Sequence, residues 1–185
     1  MLGYLGFESR ISSNPEDIAS ADRLILPGVG HFQHGMEQLK QLGLIDVIKK
    51  EVLENKKPIL GICLGMQLMT NFSEEGEVPG LGLIDAKTKK FHLQDQSLKI
   101  PHVGWNEVLW HNKSQILHGF CEKPRYYFVH SYFVECNQKN DTLGTTHYGQ
   151  DFVAAFQHDY IIGVQFHPEK SHQFGMEFLK NFAKF

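Results

Sequence analysis

The chain has 185 residues, 42% of them hydrophobic and 21% charged, which suits one compact domain with its own core. A formal net charge of -3 argues against nucleic acid or an anionic membrane as partner, no stretch approaches the roughly 18 apolar residues of a membrane span, and residues 1–10 lack the basic-then-apolar pattern of a signal peptide. Three cysteines, Cys63, Cys121 and Cys136, make no disulfide framework and favour a reducing, cytoplasmic location.

Short apolar runs alternate with helical patterns, which predicts an α/β fold with an open, mostly parallel sheet flanked by helices. Arg23-Leu24-Ile25-Leu26 reads as a buried strand stopped by Pro27-Gly28-Val29-Gly30. The stretch 34–55 reads as helix, with Leu39, Leu42, Ile45, Ile48 and Val52 near helical spacing. Pro58-Ile59-Leu60-Gly61-Ile62 is the next strand, and 64–72 the next helix. Residues 76–82 read as a loop and 84–107 as strands and turns. Strands are expected at 126–134, 142–148, 152–157 and 160–166, and a closing helix at 174–182.

The strongest local signal is Gly61-Ile62-Cys63-Leu64-Gly65, between a predicted strand and a predicted helix. It has the G-x-nucleophile-x-G form of a nucleophile elbow. A sharp strand-to-helix turn strains the nucleophile's backbone and pushes its side chain outward. Neighbours two positions away then crowd it, so glycine fits where a Cβ would clash. The following helix directs its positive end at the sulfur and favours the reactive thiolate. The amide of Leu64 can point at a developing oxyanion. Taken alone, G-x-C-x-G is equally a buried structural cysteine between packing glycines.

A thiolate nucleophile needs an acid/base, and that group needs an orienting partner. Of eleven histidines, His167 is distinguished by context. It ends the apolar run Ile161-Ile162-Gly163-Val164-Gln165-Phe166, at the strand edge where ligands bind in open α/β sheets. Pro168 biases His167 towards extended backbone, so Glu169 projects to the same side and can hold the imidazole. In isolation His-Pro-Glu is an ordinary polar loop. His31 and His34 lie three apart, but without further ligands around them no metal site is expected.

Together these segments are more specific than either alone. Pro58-Ile-Leu-Gly-Ile-Cys-Leu-Gly-Met-Gln67 and Gly163-Val-Gln-Phe-His-Pro-Glu-Lys-Ser171 resemble the class I (triad) glutamine amidotransferase family. Within it the chain is similar to the glutaminase subunits of imidazole glycerol phosphate synthase. The segments 26–32, 75–82, 100–106 and 126–132 match that subfamily in the expected order, so the resemblance runs from about Leu5 to the C-terminus.

The resemblance implies a flavodoxin-like fold with an additional antiparallel sheet, forming one glutaminase domain over 1–185. It makes Cys63 the nucleophile, His167 the acid/base and Glu169 its orienter. It places oxyanion-hole amides at Val29 or Gly30 and at Leu64, and substrate contacts at Gly28, Gln67, His130, Ser131 and Tyr132. Tyr127 and Lys170 would face a partner. L-Glutamine is then the substrate, no cofactor or metal is needed, and ammonia passes to a cyclase (synthase) subunit, a (β/α)₈ barrel, in a heterodimer serving histidine biosynthesis. Low activity alone and stimulation by that subunit are expected, with a peptide flip near Val29 as the switch. The family begins with a strand, a Y-G-x-G-N loop and a full helix. Here Met1 falls inside that helix, residues 2–7 read as its end near Gly6, and the first strand is expected to be missing. Alternatives are a related glutaminase feeding a surface-sugar amidotransferase, a silent binding module of the same fold, and a cysteine peptidase.

Overall fold

The computed structural model describes residues 1–111, 113–120 and 123–185; Cys121 lies outside the described residues. In chain order the main elements are α1 (Pro15–Ser20), β1 (Leu24–Gly28), α2 (Phe32–Gln41), α3 (Leu44–Lys49), β2 (Ile59–Cys63) and α4 (Leu64–Leu68). The hairpin β3 (Phe72–Ser73) and β4 (Val78–Pro79) follows, then β5 (Ala86–Lys90), β6 (His102–Glu107), β7 (Leu109–Trp110), β8 (Arg125–His130) and β9 (Tyr132–Cys136). The chain closes with β10 (Thr142–His147), β11 (Asp151–His158), β12 (Ile161–Val164) and α5 (His172–Lys184).

One large sheet runs β1-β2-β12-β11-β9-β5-β3-β4, with β10 also pairing with β11 and β7 beyond it. Its first three strands are parallel, with Leu60 of β2 paired to Ile25 of β1 on one side and to Ile162 of β12 on the other. The sheet turns antiparallel from β11 onward, apart from the short parallel pair β3–β5. β6 and β8 form the separate antiparallel sheet.

The parallel strands β2 and β12 are buried along their whole length, as continuous apolar runs covered on both faces should be. Their side chains alternate between two cores. Leu60, Ile62, Ile162 and Val164 point into an aromatic core with Tyr126, Phe128, Phe166 and the α5 residues Phe178 and Phe182. Ile59 and Ile161 point the other way, against Phe32 and Leu39 of α2, Ile48 of α3, and Leu64 and Met66 of α4. Burying each such side chain stabilises the fold by roughly 1.5–3 kcal/mol, so the two cores clamp the sheet at the strands that carry the cysteine and the histidine.

Several elements differ from the sequence expectation. The helix expected over 34–55 is broken at Gly43, whose φ of +67° ends α2 in the manner of a glycine C-cap. The chain then resumes as α3 and a single π-turn over Lys50–Glu54. The helix expected over 64–72 stops at Leu68, because Phe72 and Ser73 pair with both β4 and β5. The strand expected over 126–134 is two strands in different sheets, separated at Ser131. Near the N-terminus, Gly3–Leu5 form one 3₁₀ turn closed by Gly6 at φ +83°. Residues 7–14 carry no regular structure, and β1 is the edge strand of the sheet.

Candidate active site

The parallel pairing of β2 with β12 places Val164 level with Ile62. The residues that follow, Cys63 on one strand and Gln165 to His167 on the other, therefore leave the same end of the sheet side by side. That end is where open α/β sheets bind ligands.

Cys63 sits at φ +52°, ψ −109°, a strained conformation that costs a non-glycine residue about 1–3 kcal/mol. The two glycines of the elbow have the predicted reason to be there. A Cβ on Gly61 would lie 2.7 Å from the Met66 nitrogen and 2.8 Å from the Gly65 carbonyl carbon, and one on Gly65 would overlap the Leu26 carbonyl oxygen. Gly28 is similarly tight, its virtual Cβ 3.1 Å from Leu64 Cβ and 3.3 Å from the Gly65 nitrogen. The 27–30 loop is thereby held beside the start of α4, with Val29 78% exposed and Gly30 at φ +102°. Glu75 accepts a 2.8 Å hydrogen bond from the Phe32 amide and so anchors α2 just after that loop.

His167 is almost wholly buried, and its Nδ1 lies 2.7 Å from Oε1 of Glu169. Its backbone N–H donates to the Tyr127 carbonyl at 2.9 Å, bridging it to β8. Ser171 completes the clamp: its hydroxyl donates to the His167 carbonyl at 2.6 Å and accepts from the Tyr127 amide at 3.0 Å. A Cβ on Gly175 would overlap the Pro168 carbonyl oxygen, so glycine lets α5 close directly on the His-Pro-Glu turn. Burial alone would lower the His167 pKa, but the Cys63 sulfur and Glu169 outweigh it and raise it to about 9. Glu169 answers in the opposite sense: burial works to raise its pKa, and the bond to His167 holds the carboxyl below its usual range. With Nδ1 taken by Glu169, the buried Nε2 of His167 is the imidazole atom that faces the Cys63 sulfur.

The structure thus brings Cys63, His167 and Glu169 together. Gln67 reaches the same place, its Nε2 donating to the Tyr132 carbonyl and to Gln165 Oε1, both at 3.0 Å. The His130 side chain is occupied elsewhere. It makes a 3.1 Å contact with His102 and a 2.7 Å contact with the Tyr132 carbonyl, which pins the turn at Ser131. Burial holds both imidazoles neutral, His102 lowered to about 4 and His130 to about 3. Tyr127 and Lys170 lie together, the Lys170 ammonium 5.7 Å from the Tyr127 ring centre. His31 caps α2 without a side-chain bond, and among the described residues no group of three or more side chains is placed to hold a metal. No helix among them is long and apolar enough to cross a membrane.

Sequence reasoning did not single out Gln165, Ser171, His102 or Glu75. Gln165 carried a signal, since a polar amide inside an apolar strand run needs a buried partner. The other three act through contacts that only the fold creates.

A family model for class I glutamine amidotransferases matches residues 2–184. A Methanococcus maripaludis protein named imidazole glycerol phosphate synthase subunit HisH 2 is 53% identical, over 100% of this chain and 91% of its own length. A Pseudomonas aeruginosa protein of the same name is 46% identical over the same shares. A solved glutamine amidotransferase superimposes with a TM-score of 0.76 at 17% identity, over 100% of this chain and 90% of that one, a likeness of fold. The chain belongs to the class I glutamine amidotransferase family.

Proposed function

We propose that this chain is the glutaminase subunit of imidazole glycerol phosphate synthase, hydrolysing L-glutamine to glutamate and ammonia and passing the ammonia to a cyclase subunit. The observation that carries the reading is the Cys63 sulfur set against a buried His167 that Glu169 supports, in a chain 53% and 46% identical to proteins named as subunits of that synthase.

The chemistry follows from the geometry. The Cys63 thiolate attacks the side-chain amide carbon of glutamine. The oxyanion forms beside the Leu64 amide and the 27–30 loop, where each well-aimed donor contributes about 3–4 kcal/mol. The His167 imidazolium gives its Nε2 proton to the departing nitrogen, the C–N bond breaks, and ammonia leaves a γ-glutamyl thioester on the sulfur. Water then loses a proton to Nε2 and attacks the thioester. The thiolate departs, glutamate is released and the imidazolium is restored. Glu169 keeps Nδ1 protonated throughout, so that Nε2 does the proton transfer.

Ammonia is useful only before it is protonated and lost, so an acceptor subunit has to receive it directly. Val29 and Trp105 are exposed, and half-buried Tyr127 lies next to both Trp105 and the Lys170 ammonium; these side chains support docking of a barrel-shaped cyclase. One peptide flip next to Val29 would make or remove an oxyanion donor in response to docking. Ammonia release measured with and without the cyclase subunit tests this: strong stimulation is expected, and equal rates would remove the coupling.

A further inference from the structure

Gln165 is wholly buried, at 0% exposure, directly after β12 and level with Cys63. Its backbone N–H is used by the Ala154 carbonyl at 2.8 Å, so its side chain is free to serve the site. The side-chain Oε1 lies 3.0 Å from Gln67 Nε2, and its Nε2 lies 3.7 Å from the Cys63 sulfur. The orientation of both amides follows by elimination. The Tyr132 carbonyl can only accept, so the Gln67 atom 3.0 Å from it is the NH₂ group. That same NH₂ gives its other hydrogen to Gln165, which must present oxygen to Gln67 and therefore NH₂ to the sulfur. No flip of either amide satisfies all three contacts.

We propose that Gln165 is a catalytic residue: its side-chain amide N–H holds the Cys63 sulfur in its anionic form, aimed there by Gln67. The inference rests on the glutaminase reading and deepens it.

The sulfur has two kinds of neighbour. The Val129 carbonyl, 3.8 Å away, can only accept and so suits the neutral thiol. Gln165 and the His167 imidazolium can only donate at the atoms they present, and so suit the thiolate, the form that attacks. The donor acts twice in the cycle. It favours the thiolate before attack on the amide carbon. It meets the charge again when the thioester C–S bond breaks and the electron pair returns to sulfur. The residues that hold Gln165 in place, Gln67 and the Tyr132 carbonyl, belong to the expected glutamine pocket, so substrate site and nucleophile are joined by one hydrogen-bonded chain.

The test uses the full chain with its cyclase subunit and two variants. Gln165→Met keeps the length and removes the donor; Gln165→Glu keeps the shape and turns an acceptor towards the sulfur. Three quantities are measured: kcat and KM for glutamine, unfolding temperature, and the rate of Cys63 alkylation by iodoacetamide across pH, read at Cys63 alone by peptide mass spectrometry. Both variants are expected to lose at least about tenfold in kcat, as for one hydrogen bond to a charged group, with a smaller change in KM. Alkylation should slow at neutral pH and recover at alkaline pH, and the isosteric Glu variant should be the slower of the two. Alkylation profiles that superimpose on the unaltered chain, with kcat falling only as far as the unfolding temperature does, would make Gln165 a packing residue and overturn the proposal. If neither variant folds, Gln67→Leu releases the Gln165 amide from its aim and must slow alkylation likewise; an unchanged profile overturns the proposal. If the unaltered complex releases no ammonia, the glutaminase reading fails, while the alkylation profiles still judge Gln165.

Discussion

Gly65 lies so close to Leu26 that any Cβ on it would overlap the Leu26 carbonyl oxygen. The obstacle is backbone of β1, the strand that leads into the 27–30 loop, so it cannot move aside without displacing the expected oxyanion donors. Gly65→Ala should therefore cost more than the about 1–3 kcal/mol of ordinary overpacking, read by denaturant unfolding. It should lower ammonia release more than tenfold in the protein that still folds. An alanine variant of unchanged stability and rate would mean that the elbow is looser than the structure shows.

Glu169→Gln retains a hydrogen-bond partner for Nδ1 at the 2.7 Å site but removes its charge. The imidazolium loses support, and the neutral amide can turn its NH₂ group towards Nδ1 and select the wrong tautomer. A fall in kcat of about 10²-fold or more is expected, together with a lower unfolding temperature at neutral pH, because the carboxylate helps the folded state hold the His167 proton. Steady-state ammonia release by the complex measures it.

The pH dependence follows from the sign of the His167 shift. Its pKa is raised from 6.5 to about 9, so the folded state holds this proton more tightly than the unfolded chain. The stability it contributes is fully present below pH 6.5 and is lost as pH rises through about 9. Glutamine hydrolysis should fall over the same alkaline range, because a neutral imidazole has no proton for the departing nitrogen. In Glu169→Gln that limb should move to lower pH. A kcat profile still rising beyond pH 9 would contradict the assignment of His167 as the acid.

His102 and His130 behave in the opposite way. Their pKa values are lowered from 6.5 to about 4 and about 3, chiefly by burial. The unfolded chain therefore takes up protons first as pH falls. The stability that the neutral pair contributes is present above pH 6.5 and is lost progressively as pH falls towards 4. The imidazole of His102 is stacked between Tyr148 and Phe128, so His102→Phe should keep much of the packing. Urea unfolding at several pH values should show a shallower acid decline for that variant than for the unaltered chain.

The parts of the site that are local in sequence were legible there. The two glycines flanking Cys63 and the His-Pro-Glu segment each declare a backbone geometry within five residues. The fold was legible where a strand is buried on both faces, as in β2 and β12. The failures arose where distant contacts override local pattern. Apolar spacing ran on through Leu42-Gly43, although a glycine at that place is a helix stop. The apolar run from Tyr126 concealed a change of sheet at Ser131, which is decided by the partners β6 and β5 rather than by the run itself. The His102–His130 pair joins residues 28 apart, and neither histidine announces the other.

The most direct measurement compares ammonia release from L-glutamine by the complex with the cyclase subunit, for the unaltered chain and for Cys63→Ala, alongside intact-mass detection of a glutamyl group on the protein. The unaltered chain should release ammonia and carry the group transiently at Cys63, and the variant should do neither. Undiminished ammonia release by Cys63→Ala would contradict the nucleophile, and with it the account built on the end of β2.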